Sequence, residues 1–277
     1  DPSDESLRRE VDGWHTMAGP LGDDLVPTMS ALPWYPHEPW THVAPDFFQL
    51  FEHVSFEGRR VVDLGAGRTW ASRFLATVGR AGEVVAVDVL TRKYLGLETA
   101  DVFFQQDGIH FERLRGDVHR LPLVDGWADA VVGVAAVHHS GRLEDLFAEI
   151  RRILRPGGLF VMVSEPVKKA SIPDRQPQNA ETAHGINEHM YSFAEYTSEL
   201  RRAGFSYDLL SPRTVRYRLL YRDDDFESGL PPALRKISRS KAGRGAIARL
   251  LRGRRTGPLL YRYCNLPLSL IARSFAK

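Results

Sequence analysis

The chain of 277 residues carries one cysteine, Cys264. It can form no disulfide within itself and no thiolate metal cluster, and a reducing compartment suits it. It has no run of about 18 apolar residues, the length a membrane-crossing helix needs. A charged-then-apolar leader is also missing, so no secretory signal is read and a cytoplasmic location is expected. The chain opens on Asp1 and not on Met, which suggests that further sequence precedes it. Acidic residues are absent from Pro232 to Lys277, a stretch with 12 Lys and Arg. The net charge of +2 therefore hides a split, with a strong basic surplus after residue 200 and an acidic surplus before it. Such a split fits either an anionic partner or a solvated basic face. With 43% hydrophobic and 26% charged residues the chain is globular, not disordered.

Residues 1–57 are rich in proline and aromatics, among them Trp14, Trp34, Tyr35 and Trp40. Proline at this density argues against a long helix over 27–45, and a short amphipathic helix is expected over 46–54. This region is read as an N-terminal cover. From Arg60 apolar runs alternate with helical stretches. Strands are expected at 60–64, 84–87, 110–114, 128–134, 159–163, 205–210 and 268–273, and helices at 69–78, 143–154 and 193–203. Apolar strands separated by helical lengths imply a mostly parallel α/β sheet covered on both faces.

The first strand runs into Val61-Val62-Asp63-Leu64-Gly65-Ala66-Gly67. Glycines let such a turn approach a ligand, and the following helix presents free N–H groups. Trp70 stands where a dinucleotide fingerprint would have its third glycine, and no Gly-Lys-Ser/Thr occurs, which disfavours NAD and ATP. Asp88 ends the second strand, where an acid either accepts from ribose hydroxyls or caps a helix. Further on stand Arg115-Gly116-Asp117-Val118, Asp129-Ala130-Val131-Val132-Gly133, His138-His139 and Leu154-Arg155-Pro156-Gly157-Gly158.

In that order, the series resembles the class I S-adenosylmethionine (SAM)-dependent methyltransferases, over roughly residues 45–210. The resemblance implies a Rossmann-like, seven-stranded mixed sheet with helices on both faces and the cofactor at the carboxyl ends of the strands. It also implies that Asp63, Gly65, Ala66 and Gly67 hold the methionine end of SAM, and that Asp88 and Val89 meet the ribose. Asp117 and Val118 meet the adenine, Gly133 and Val134 lie near the sulfonium, and S-adenosylhomocysteine is the product.

His138 and His139 follow the fourth strand and are the candidates for a proton acceptor, although a His here also serves structure. Glu165, His184, Glu188, His189 and Tyr191 form a second polar group, expected at the substrate together with Trp34 and Tyr35. The spacing of its His and Glu matches no metal motif, and no metal site is expected. Residues 211–262 depart from the resemblance as a long basic insertion before the last strand. The expected division is 1–57 as cover, 58–210 as SAM-binding core, 211–262 as cap and 263–277 as last strand. The cap is expected to fold with residues 14–42 over the acceptor, or to rest through 232–256 on an anionic membrane. The function expected is O-methylation of a small molecule or saccharide. An RNA methyltransferase and a non-catalytic, membrane-associated SAM-binding protein are the alternatives. Nucleic acid is disfavoured, because no aromatic interleaving accompanies the basic charge.

Overall fold

A computed structural model describes residues 2–35, 40–168, 179–215, 230–252, 256–264 and 267–275. Helices α1 (Pro2–Ala18), α2 (Val26–Ser30) and α3 (Trp40–Gln49) precede the sheet. The sheet begins with β1 (Arg60–Leu64), α4 (Trp70–Thr77), β2 (Glu83–Asp88), α5 (Ala100–Asp107) and β3 (Glu112–Arg115). It continues with β4 (Ala128–Val134), α6 (Leu143–Ile153) and β5 (Leu154–Glu165). Two short strands, β6 (Val167–Lys168) and β7 (Tyr191–Ser192), pair with each other around α7 (Ala180–Ala183). Then come α8 (Phe193–Arg202), β8 (Phe205–Leu210), α9 (Pro232–Ser238), α10 (Lys241–Arg252), α11 (Thr256–Tyr263) and β9 (Leu268–Ser274).

Seven strands form one mixed sheet in the order β3-β2-β1-β4-β5-β9-β8. The five strands from β3 to β5 run parallel, and β9 lies antiparallel between β5 and β8. The order reverses between β1 and β4, so the carboxyl ends of these two strands flank a crevice suited to a ligand. Alternation along β1 divides the core. Val62 and Leu64 face one layer with α6 and α8, while Val61 faces the layer of α3, α4 and α5. Helix α6 shows why such segments are helical. Leu143, Leu146, Phe147 and Ile150 recur at helical spacing and are all buried, with acids in the first turn and arginines in the last. Ser192 and Glu195 cap α8 reciprocally, side chain to backbone N–H.

The N-terminal segment differs from expectation. It opens with a 17-residue helix, because Pro2 stands at its first position, where proline is tolerated, and no further proline occurs until Pro20. The short helix expected over 46–54 starts earlier, at Trp40, and holds Pro45 within it. The insertion differs too. Ile247, Ala248, Leu251, Tyr261 and Cys264 are buried in the layer of α8, β5 and β9, whereas Met29, Leu32 and Phe47 of the N-terminal segment belong to the opposite layer. Apolar side chains of α10 and α11 thus found a surface on the sheet itself, not on the aromatic cover. The two segments do meet at residues 211–214, where Gln49 donates its side-chain amide to the carbonyl of Ser211 at 3.2 Å, Arg213 pairs with Glu52, and buried Asp46 accepts from the backbone N–H of Thr214 at 2.8 Å. The expected packing residues Leu219, Leu220, Tyr221 and Phe226 lie outside the described residues. Ile237, Leu250 and Leu259 are exposed beside the basic side chains of α9 and α10. No helix among the described residues is long and apolar enough to cross a membrane.

Candidate active site

The turn after β1 bends through Gly65 and Gly67, at φ of +65° and +47°. A Cβ on Gly65 would stand 2.7 Å from the Cβ of Ala136, so both conformation and space demand glycine there. Asp88, at the end of β2, ties this turn in place. One carboxylate oxygen accepts from the N–H of Gly67 at 2.7 Å and the other from the N–H of Leu90 at 2.8 Å. The bond to Leu90, two residues on, is a local turn, and no helix starts there, which removes the helix-capping alternative. Burial raises the pKa of Asp88, and the two N–H groups only partly offset it. Asp117 follows β3 and accepts from the backbone N–H of His119 at 2.9 Å. Burial pushes its carboxyl up, but the two bonds with His119 outweigh this and hold it below its ordinary value.

Asp63 takes a different place from the one expected. It shares the face of Val61 and points to α4, where the hydroxyl of Ser72 donates to it at 2.5 Å. It is 1% exposed, and burial raises its pKa to about 7. Asp63 therefore braces the turn from behind and does not line the cleft.

The carboxyl end of β4 carries the second half of the site. Ala135 adopts a left-handed conformation at φ +48°, which turns the next three backbone N–H groups toward β5. All three converge on Glu165. The N–H groups of Ala136 and Val137 donate to one carboxylate oxygen at 2.9 and 3.0 Å, and that of His138 to the other at 3.1 Å. Nδ1 of His138 also lies 2.8 Å from Glu165. Expected at the substrate, Glu165 is instead fully buried and spends both oxygens on this turn.

On its other side, Nε2 of His138 faces a carboxylate oxygen of Glu188 at 3.4 Å. Burial alone would lower the His138 pKa, but Glu165 and Glu188 raise it to about 10. Burial and the neighbouring His138 lower the pKa of His139. Its Nδ1 meets the carbonyl oxygen of Asn187 at 2.6 Å. His138 is thus already protonated between two acids, which removes it as a proton acceptor at neutral pH.

A cleft of about 950 Å³ joins the two halves. Gly65, Gly67, Asp88, Val89, Asp117, Val118 and Val134 line one end of it, and His138, His139, Glu188 and His189 line the other. Ala66 and Gly133 are only backbone supports behind it. Tyr191 is buried and donates its hydroxyl to the carbonyl of Ser140 at 2.6 Å, which fixes the turn after His139. His184 is exposed, with Nδ1 on the carbonyl of Ala180. Trp34 is 53% exposed and stacks on Phe48, and neither it nor Tyr35 is among the described residues lining the cleft. Both aromatics precede α3 and stand away from the cleft, so the expectation that they meet the substrate is corrected.

The roof of the cleft is α1, whose Ser6, Leu7, Glu10, Trp14 and Met17 all line it. The spacing of Leu7, Glu10, Trp14 and Met17 marks one helical face, a signal present in the sequence but masked by the polar residues around it. Glu10 is buried and accepts from the side-chain amide of Asn187 at 2.5 Å. Gly13 presses against the loop after α7. An added Cβ would overlap the carbonyl oxygen of His184 and stand 2.9 Å from Ile186. Gly13→Ala is expected to destabilise the fold by about 1–3 kcal/mol, since a backbone carbonyl cannot yield. It should also speed hydrogen exchange in α1; a more stable, equally protected α1 would show that the helix tolerates the methyl.

Residues 62–162 match the family described as "Methyltransferase domain". This stretch is thus a methyltransferase domain, and its seven-stranded sheet has the form of the class I SAM-dependent methyltransferases. Among curated relatives, the chain is 30% identical over 115 residues to a fatty-acid O-methyltransferase of Mycolicibacterium smegmatis, covering 38% of this chain and 36% of that protein. It is 28% identical over 194 residues to 24-methylenesterol C-methyltransferase 2 of Oryza sativa subsp. japonica, covering 69% and 49%. The chain thus spans half or less of the length of these two relatives. Among solved structures, the [4+2]-cyclase SpnF superposes with a TM-score of 0.55 at 18% identity, covering 83% of this chain and 80% of that one. That likeness concerns the fold alone, since one fold hosts several chemistries.

The residues present fit SAM. The glycine turn leaves open space over Gly67, where nothing stands within 4 Å of an added Cβ. Asp88 and Asp117 offer acceptors at the cleft, and the cleft volume lies within the range of roughly 300–1,000 Å³ for small-molecule sites.

Proposed function

We propose that the protein transfers the methyl group of SAM to an oxygen of a small-molecule or saccharide acceptor. The observation that carries this is the continuity of one cleft from the cofactor turn to the His138, His139 and Glu188 group. SAM, when bound, supplies a methyl on a positively charged sulfur that leaves readily in an in-line displacement. The chain's own part is to hold donor and acceptor in line and to exclude water. Asp88 and the glycine turn hold the cofactor end. Trp14 and Met17 on α1 give the acceptor end apolar walls, and Glu10, His139 and Glu188 give it polar contacts that orient a hydroxyl.

A roof made by one helix suits a small acceptor better than a folded RNA. The described part of the basic insertion contributes no lining residue, so its charge offers no support for RNA at the site. Complete cofactor-side residues speak against a non-catalytic role. The test is calorimetry with SAM and S-adenosylhomocysteine, followed by a screen of hydroxyl-bearing acceptors with radiolabelled SAM. Asp88→Ala removes acceptors worth about 0.5–1.5 kcal/mol for each hydrogen bond. It is expected to weaken SAM binding by about 1–3 kcal/mol, roughly 5- to 150-fold. Folded wild-type protein that takes up no SAM would refute the proposal.

A further inference from the structure

The acceptor end of the cleft holds an arrangement that the methyltransferase fold does not require. His138, His139 and Glu188 each place one ligand-type atom within 4.8 Å of the others. The distance from His138 Nε2 to Glu188 Oε1 is 3.4 Å. Two ligands about 2.1 Å from a metal and at tetrahedral angles to each other stand roughly 3.4 Å apart. The fold brings these atoms to that spacing from two segments nearly fifty residues apart, which is why no metal motif is legible in the sequence.

The surroundings point the same way. Metal-binding histidines hold their second ring nitrogen on a carboxylate or a backbone carbonyl, which fixes the tautomer and frees the other lone pair. Here Nδ1 of His138 is held by Glu165 at 2.8 Å and Nδ1 of His139 by the carbonyl of Asn187 at 2.6 Å. His139 then carries its lone pair on Nε2, and His138 offers Nε2 once an ion displaces the proton held there, since metal binding releases protons from its ligands. Charge adds a further argument. Glu10, Glu165 and Glu188 are all buried and lie beside His138 and His139. Buried carboxylates need cationic compensation, and a divalent ion would add to what His138 supplies.

We propose that His138, His139 and Glu188 bind one divalent first-row transition cation of the Zn²⁺ type, with Glu165 and Asn187 as the outer supports and Glu10 beside it. Two imidazoles with one carboxylate suit such ions, whereas Mg²⁺ and Ca²⁺ prefer all-oxygen sites. The ion sits where the acceptor is proposed to bind and can polarise an acceptor oxygen. Its binding is a separate matter from methyl transfer and does not depend on the identity of the acceptor.

The experiment strips the purified full chain with a chelator, desalts it, and titrates it with Zn²⁺ and Co²⁺ by calorimetry and equilibrium dialysis, with Mg²⁺ and Ca²⁺ in parallel. One Zn²⁺ or Co²⁺ per chain is expected, with affinity falling by tenfold or more in His139→Ala and in Glu188→Gln, both checked for folding by circular dichroism. Bound Co²⁺ should show visible bands that both substitutions remove. No uptake of Zn²⁺ or Co²⁺ by the wild type, uptake unchanged by both substitutions, or tighter binding of Mg²⁺ than of Zn²⁺ would overturn the proposal. Binding of S-adenosylhomocysteine to the same preparation separates the two readings. S-adenosylhomocysteine bound without metal sinks the metal site alone, and metal bound without it sinks the methyltransferase reading alone.

Discussion

Glu165→Ala is expected to cost the protein about 4 kcal/mol of stability. The substitution withdraws the acceptor from three backbone N–H groups and from Nδ1 of His138 in a place closed to solvent. A buried donor left unmet costs about 1–3 kcal/mol, so four donors exceed that cost even after partial relaxation. The left-handed turn at Ala135 depends on the same convergence, and its strain loses its compensation. Urea unfolding of wild type and variant measures the difference. Glu165→Gln keeps one carbonyl oxygen but turns an amide toward donors, and an intermediate loss is expected. A loss below about 1 kcal/mol for Glu165→Ala would mean that water replaces the carboxylate in full.

The second large effect is a dependence of stability on pH. Asp63 holds its proton in the folded protein up to about pH 7, against an ordinary value of 3.8. Burial is the main cause, opposed by the bonds from Ser72 and aided by the charge of Asp88. Between these two values the folded state binds a proton that the unfolded chain has lost. Stability must therefore fall as pH rises through this window, by about 1.4 kcal/mol per unit, and level off above pH 7. Asp63→Asn can still accept from Ser72 but has nothing to ionise. Its stability relative to wild type should therefore improve by roughly 3 kcal/mol between pH 4.5 and 7.5, read from paired denaturation curves. Parallel curves for the two proteins would show that Asp63 ionises freely in the fold.

The central strands β1, β2, β4 and β5 were legible because they are largely apolar on both faces and punctuated by glycine and proline. The strand at 128–134 and the strand at 205–210 fall where the sequence predicts them, since both are bounded by turn residues. Val89, Val118 and Val134, assigned through the resemblance, line the cleft. What escaped were contacts between distant segments. The approach of Glu188 to His138 across fifty residues has no local signature. Neither does the approach of Glu10 to Asn187, which joins the first helix to the loop after α7. Asp63 was misplaced because a motif records residue identity and not the face of the strand. Residue parity along β1, with Val61 and Asp63 opposite Val62 and Leu64, would have shown it.

The division of the cleft has an evolutionary consequence. Its cofactor walls come from the ends of β1, β2 and β3, inside the most tightly packed part of the chain. Much of its acceptor wall comes from α1 and the loop of residues 181–189, segments tied to each other by a few side chains and by the close approach at Gly13. Substitutions there can redraw the shape of the pocket with little disturbance to the sheet. Selection can thus retune acceptor choice while the donor end stays fixed. Directed evolution of this protein toward new acceptors should concentrate its libraries on the cleft-facing residues Ser6, Leu7, Trp14, Met17, Glu181 and His189 and leave Gly13 unchanged.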